Sequence, residues 1–172
     1  MGGPSGAGIS TGDIINLGKT AWGIVKDGRP TSESKSAYCN AVPKTIPISE
    51  IRGWRRNTGS WTFNVLNGWG MDAVTCRFHL DYEFAGCTED MPDAKFLTNV
   101  RVTVGSCSVA WGAQFGADAT LAGRPTFSGG AESPVSRLSL NVVCRLNNEI
   151  NSIVYTYRLN IDGTGRWDGR GG

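Results

Sequence analysis

The most constraining feature of this sequence is an alternation of apolar and polar side chains between Val74 and Phe84. A period of two residues indicates a β-strand with one face in a core and the other face in water. Such a strand needs paired neighbours that continue both faces, and this arrangement is typical of antiparallel sheets. The apolar set consists of Val74, Cys76, Phe78, Leu80, Tyr82 and Phe84.

Several other segments repeat this alternation and are separated by turn-forming residues. Glycine contributes 24 of the 172 residues, about twice its usual share. No helical pattern separates these segments, which argues against an α/β fold. We therefore predict a mainly β fold with one antiparallel β-sandwich, Greek-key or jelly-roll-like, of seven to nine strands over residues 37–162. The further strands are predicted near residues 60–66, 96–104, 109–115, 138–145 and 153–161.

The segment of residues 10–27 has a helical period instead. On a helical wheel its apolar residues occupy one half and its polar residues the other half. We therefore predict an N-terminal amphipathic α-helix, preceded by a flexible arm (1–9), followed by a hinge (28–36), and with a Gly-rich tail (163–172) at the other end of the chain. The apolar face of this helix, a candidate membrane or assembly face, consists of Ile14, Ile15, Leu17, Ala21, Trp22, Ile24 and Val25.

Residues that would support catalysis or metal binding are scarce. The single histidine, His79, is predicted to lie on the outer face of a strand between Arg77 and Asp81, and no G-x-S-x-G motif accompanies it. No CxxC or Cys/His cluster indicates a zinc site. The net charge of +2 gives no general attraction to nucleic acid. We expect a protein that is not an enzyme, with no catalytic residue, metal, cofactor or nucleic-acid partner.

Two tryptophans are predicted to lie in loops and to be available for contacts. Trp54 lies beside Arg55 and Arg56, and Trp69 lies in the turn-like sequence N-G-W-G. Tryptophan beside arginine suits lipid headgroups, the face of a sugar or a partner chain, although such residues also close the ends of sandwiches. Trp61 and Trp111 are in phase with predicted strands and are expected in the core.

The five cysteines form an odd set, so at least one is free or joins two chains. Cys76 and Cys144 fall on predicted inward positions. Buried reduced thiols and one or two disulfides both fit this pattern.

The helix followed by a sandwich favours a membrane-active or surface-binding protein. In length and in this order of elements the chain resembles actinoporin-type cytolysins, a resemblance of layout that implies a pore-forming, secreted or extracellular homo-oligomer but assigns no residue. The partners would be a lipid membrane, contacted by the helix, or copies of the chain itself. Packing of the helix on its own sandwich remains open.

Two other functions fit the same features. A self-assembling coat or capsid-type subunit would use its N-terminal segment to join neighbouring copies. A carbohydrate-binding sandwich would stack a sugar on Trp54, Trp69 or Trp167.

Overall fold

Twelve β-strands form two antiparallel sheets in the computed structural model, which describes residues 14–15, 21–31 and 37–171. The predicted arm at 1–9, Leu17 and most of the predicted hinge lie outside these residues. The strands are β1 (Ile14–Ile15), β2 (Ala21–Lys26), β3 (Arg29–Pro30), β4 (Cys39–Pro43), β5 (Arg55–Leu66), β6 (Asp72–Gly86), β7 (Phe96–Val109), β8 (Gln114–Leu121), β9 (Thr126–Ser128), β10 (Val135–Asn147), β11 (Ser152–Asp162) and β12 (Trp167–Gly171).

The two sheets pack face to face as a sandwich-like structure. The first has the strand order β1-β4-β7-β6-β5, and the second has the order β12-β11-β10-β8-β2-β3, with β9 also paired to β10. Aromatic rings meet between them: the ring centroids of Phe63 and Phe115 lie 5.6 Å apart, and those of Trp61 and Tyr157 lie 6.1 Å apart. The prediction of a mainly β, antiparallel, sandwich-like fold is confirmed, but the described residues form twelve strands and not seven to nine, because short strands such as β1, β3 and β9 add to the long ones.

Strand β6 accounts for the alternation in the sequence. Its inward residues Cys76, Phe78 and Leu80 are fully buried, and Arg77 between them is exposed. The strand pairs along its length with β5 on one side and with β7 on the other. It therefore forms part of the hydrophobic core that both sheets share.

The predicted N-terminal helix is wrong. Described residues of the segment form strands β1 and β2, and the only helical element in the described ranges is a 3₁₀ turn at Ile48–Glu50. The register of β2 against β8 shifts between Gly23 and Val25, so Ile24 is an extra residue in a β-bulge. Because of the bulge, Ile24 and Val25 are both buried although they are consecutive. This spacing of apolar residues imitates a helical face.

Two further boundaries differ from the prediction. The strand expected to continue from Val109 to Phe115 is interrupted, because β7 ends at Val109 and β8 begins at Gln114. Trp111 lies in the intervening turn and is fully exposed, so its predicted place in the core is wrong. The Gly-rich tail also contains a strand, since β12 pairs with β11 beyond the predicted end of the sandwich at residue 162.

One end of the sandwich is closed by contacts between the sheets. The backbone N–H of Lys95 donates to Pro134 O at 2.8 Å, and the N–H of Ser136 donates to Lys95 O at 2.9 Å. A second, smaller apolar cluster fills this end and contains Val42, Ile51, Ala94 and Phe96. We call it the closed end. The strands lead from it to a set of short turns at the other end.

Candidate functional site

Four short turns meet at the end of the sandwich opposite the closed end. Val74 pairs with Val109, so the β5–β6 turn lies beside the β7–β8 turn. Gln114 pairs with Asn147, which brings the β10–β11 turn to the same end. The β2–β3 turn joins them, because the N–H of Gly28 donates to Phe115 O at 2.7 Å.

Exposed apolar side chains are concentrated at this end. Of the eight large apolar side chains that are exposed in the described residues, seven lie in these turns or on strand residues close to them, and only Tyr38 lies elsewhere. Trp69 and Ile150 are each 88% exposed, and Trp111 makes no contact that reduces its exposure. We call this surface the apolar end, defined by Leu66, Trp69, Met71, Trp111, Ile150, Ile153 and Val154.

Two of the turns present their apolar tips by the same device. In the β5–β6 turn, Asn67 Oδ1 accepts hydrogen bonds from the N–H groups of Trp69 at 2.9 Å and Met71 at 3.0 Å. In the β10–β11 turn, Asn148 Oδ1 accepts from the N–H of Ile150 at 3.0 Å and from that of Asn151 at 2.6 Å. An asparagine side chain that satisfies two backbone amides fixes the turn locally. The tips are therefore ordered by the turns themselves.

The third tip is Trp111, at the corner of the β7–β8 turn. The N–H of Ala113 donates to Ala110 O at 3.2 Å, which closes a four-residue turn around Trp111 and Gly112. Gly112 has φ of +81°, a conformation that favours glycine at the third position of a type II turn. The glycine therefore allows the turn that leaves the indole in water.

The charges near the apolar end almost cancel. Among the described residues of the four turns and their ends, Lys26 and Arg29 contribute two positive charges, and Asp27, Asp72 and Glu149 contribute three negative charges, which gives a formal sum of −1. The turns with Trp69 and Trp111 carry no charged residue between their flanking strands. The contact chemistry of this surface is therefore hydrophobic and aromatic rather than electrostatic.

The predicted cluster of loop tryptophans and arginines is divided between the two ends. Trp69 lies at the apolar end, whereas Trp54 packs in the small cluster of the closed end. Arg55 places its guanidinium 5.6 Å from the centre of the Phe84 ring, and Arg56 forms an ion pair with Asp81 at 3.2 Å. Trp54, Arg55 and Arg56 therefore form local contacts far along β5 from Trp69.

The residues of the predicted helical face are mostly part of the core. Ile14, Trp22, Ile24 and Val25 are buried, and Ala21 is exposed at the start of β2. The side chain of Ile15 lies outside the described part of the structure, as does Leu17. Apart from Ala21, the described apolar side chains of the predicted helical face are therefore buried.

Most of the apolar end was not found from the sequence. The alternation places Trp111 in a strand, and this periodicity assigns no role to Leu66, Met71 or Ile150. The sequence does mark three of these positions. Trp69, Trp111 and Ile150 are large apolar residues among mostly Gly, Ala or Asn neighbours, in N-G-W-G, A-W-G-A and N-N-E-I-N. Turns usually carry small or polar residues, so a large apolar residue at such a position requires an explanation.

All five cysteines are free thiols, and three of them lie near one another inside the sandwich: Cys76, Cys107 and Cys144. Cys76 and Cys107 are directly opposite on β6 and β7. The Cys76 thiol donates a hydrogen bond to the sulfur of Cys107, which lowers the pKa of Cys107 and, together with burial, raises that of Cys76. Burial raises the pKa of Cys144 and of Cys39 to about 12. Of these four thiols, Cys107 is the most nucleophilic.

We expect iodoacetamide to alkylate Cys107 in the folded protein at pH 8 well before Cys39, Cys76 or Cys144. A pKa of about 12 against an ordinary value of 9.0 lowers the thiolate fraction of Cys144 by about a thousandfold. The rate at Cys107 should rise with pH up to its lowered pKa and then level off. Peptide mass spectrometry over a time course measures this order. Alkylation of the Cys144 peptide as fast as that of the Cys107 peptide would contradict the assignment.

The described residues hold no group of three His, Cys, Asp or Glu side chains placed to bind a metal ion. Within the same ranges, no helix has the length and apolarity needed to cross a membrane. His79 lies on β6, and its ring covers Gly105 on the neighbouring β7. No protein-family model, curated protein or solved structure matches the chain.

Proposed function

We propose that this protein is a non-enzymatic membrane-binding β-sandwich that contacts the lipid surface through its apolar end. The observation that carries the proposal is that seven of the eight large apolar side chains exposed in the described ranges lie at one end of the molecule. Exposed apolar residues scattered singly need no explanation, but a concentration of this kind marks an interaction surface. The predicted helix has no part in this proposal.

The shape of the apolar end favours lipid over a protein partner. Three separate turns present Trp69, Trp111 and Ile150 to solvent, and the Trp111 side chain is fully exposed. A protein partner would need a matching pocket for each tip, because protein interfaces reach the packing density of protein interiors. The boundary between lipid headgroups and acyl chains accepts single projecting side chains, and tryptophan is enriched there.

The tips supply enough apolar surface for reversible binding. A tryptophan side chain buries about 150–250 Å² when it is enclosed. If about half of that area enters the bilayer, each tryptophan contributes about 2–3 kcal/mol at about 25 cal/mol per Å². Because the asparagine-based turns already order two of the tips, little conformational entropy is lost on binding.

We expect binding to phosphatidylcholine vesicles that depends little on salt or on added anionic lipid. The formal charge of −1 around the apolar end provides no attraction to an anionic surface, so the hydrophobic contribution dominates. Co-sedimentation of the full chain with neutral vesicles at low and high ionic strength tests this, with vesicles containing phosphatidylserine in parallel. Fluorescence of the six tryptophans should shift to shorter wavelength on binding.

Three outcomes would contradict the proposal. One is no binding to neutral vesicles, and the second is binding only to anionic vesicles with loss at high salt. The third is self-association through the tips without lipid, which light scattering at high protein concentration would reveal and which would favour an assembling subunit.

A further inference from the structure

The outer face of the second sheet carries an arginine-lined groove that the apolar end does not explain. The groove has a volume of about 680 Å³ and lies across the beginning of β10, the end of β11 and the beginning of β12. Four arginines from different segments line it, together with two aspartates and neutral polar side chains. The arginines are Arg124, Arg137, Arg158 and Arg166.

The described carboxylates leave these arginines without an ion pair. Among the described residues, no groove arginine lies within 4.0 Å of an aspartate or glutamate oxygen, although Arg137 is the register partner of Asp162. The same face does form an ion pair elsewhere, since Arg145 holds Asp118 through two contacts of 2.9 Å. On this face, the ion pair formed by described residues therefore lies outside the groove.

The two acidic residues of the groove accept hydrogen bonds from neutral groups instead. Asp168 accepts from the amide of Asn160 at 2.8 Å. Asp162 accepts from the backbone N–H of Thr164 at 2.8 Å and from its hydroxyl. With four guanidinium groups and two carboxylates, the groove has a formal charge of +2.

We propose that this groove binds a soluble saccharide that carries sulfate or phosphate esters. The planar guanidinium donates paired hydrogen bonds to tetrahedral oxyanions and is the preferred group for recognising them. Ser139, Asn160 and Thr126 line the groove between the arginines and provide donors and acceptors for sugar hydroxyls. The volume is that of a site for a small ligand.

The position of the groove favours a ligand in solution over a lipid headgroup. From Asn147 at the apolar end, β10 runs ten residues to Arg137 in the groove, and this corresponds to about 33 Å at about 3.3 Å per residue. With the apolar end on a bilayer, the groove would therefore lie well above the headgroups. This point about orientation rests on the proposed function, whereas the binding chemistry of the groove does not.

Titration calorimetry with sucrose octasulfate, and with sucrose as the matched uncharged sugar, tests the proposal. We expect sucrose octasulfate to bind and sucrose not to bind. The double variant Arg137→Ser/Arg158→Ser should weaken binding at least tenfold. The control Arg52→Ser/Arg77→Ser removes the same charge at two exposed positions outside the groove and should bind like the parent. Both pairs replace exposed side chains, so the fold should be retained.

Further measurements distinguish a charged saccharide from inorganic sulfate and from a lipid headgroup. Equal affinity for inorganic sulfate at matched ionic strength would overturn the assignment to a saccharide. Binding to vesicles with a phosphoinositide that is lost in the groove variant, without binding of sucrose octasulfate, would overturn the soluble source. Equal weakening by both double variants would show attraction by net charge alone and would overturn the site. Unchanged binding of the groove variant to neutral vesicles keeps this test separate from the proposed function.

Discussion

Replacing Trp69 and Trp111 together with alanine is expected to lower affinity for neutral vesicles by about a thousandfold. Each substitution removes about 2 kcal/mol of apolar transfer if about half of the indole enters the bilayer, and 1.4 kcal/mol corresponds to a factor of ten. Because both side chains are exposed in their turns, removing them leaves the core unchanged. Vesicle titration followed by sedimentation gives the affinity, and thermal unfolding gives the stability.

The chain offers a matched control for this experiment. Within the part of the chain that the structure describes, Tyr38 is the one exposed large apolar side chain away from the apolar end, so Tyr38→Ala should bind vesicles like the parent. The conservative pair Trp69→Phe/Trp111→Phe should recover most of the lost affinity, because the apolar area is largely kept. If the alanine pair binds as well as the parent, the apolar end is not the membrane contact.

Ile24→Asp is expected to unfold the protein or leave it only marginally stable. Ile24 is fully buried in the shared core, so the substitution removes a large apolar group and places a carboxylate among apolar neighbours. The loss of the isoleucine packing alone costs about 2–5 kcal/mol, and the buried charge adds to it. A domain is usually stable by only about 5–15 kcal/mol. Urea unfolding followed by tryptophan fluorescence measures the change.

Ala21→Asp on the same strand provides the comparison. Ala21 is exposed at the start of β2, so its replacement should change stability by about 0.5 kcal/mol or less. In the predicted helix, Ala21 and Ile24 would share one face, and the two variants would behave alike. Similar stability of both variants would therefore contradict the burial of Ile24 in β2 and would favour the predicted helix on the surface.

The strands could be predicted because their sequence repeats the periodicity of their environment. Every second residue of β6 meets the core, and burial along the strand follows the alternation from Val74 to Tyr82. The residues from Val109 through Trp111 to Phe115 also alternate as in a strand. The alternation does not show that β7 ends at Val109 and that a hydrogen-bonded turn follows it. Periodicity describes which face a residue would take and does not show where the chain turns.

The N-terminal segment predicts a helix and forms a strand because a bulged strand and a helical face share one pattern of apolar residues. The apolar residues at 22, 24 and 25 satisfy a helical arc, and they also satisfy a strand in which Ile24 is the extra residue of a bulge. The partner that decides between them is β8, about 100 residues later in the chain. Two glycines, Gly18 and Gly23, were the local warning, since each lowers helical stability by about 1 kcal/mol.

The candidate site could be predicted only in part, because it is built from turns of separate hairpins. Trp69 was recognised in its turn from the neighbouring Asn and Gly residues. Its association with Trp111 and Ile150 follows from the register of β6 with β7 and of β8 with β10. Register between distant strands depends on the complete sheet, so the sequence could not place the tips together.

The pairing of Trp22 with Ala119 has a consequence for how the chain reaches its fold during synthesis. Strand β2 leaves the ribosome early, but its partner β8 is translated about 100 residues later. Because synthesis proceeds at about 5–20 residues per second, the apolar side chains of β2 remain unpaired for several seconds before β8 is made. Such long-range pairing also slows folding. Until β8 has been made, this segment therefore exposes apolar side chains that are buried in the finished molecule.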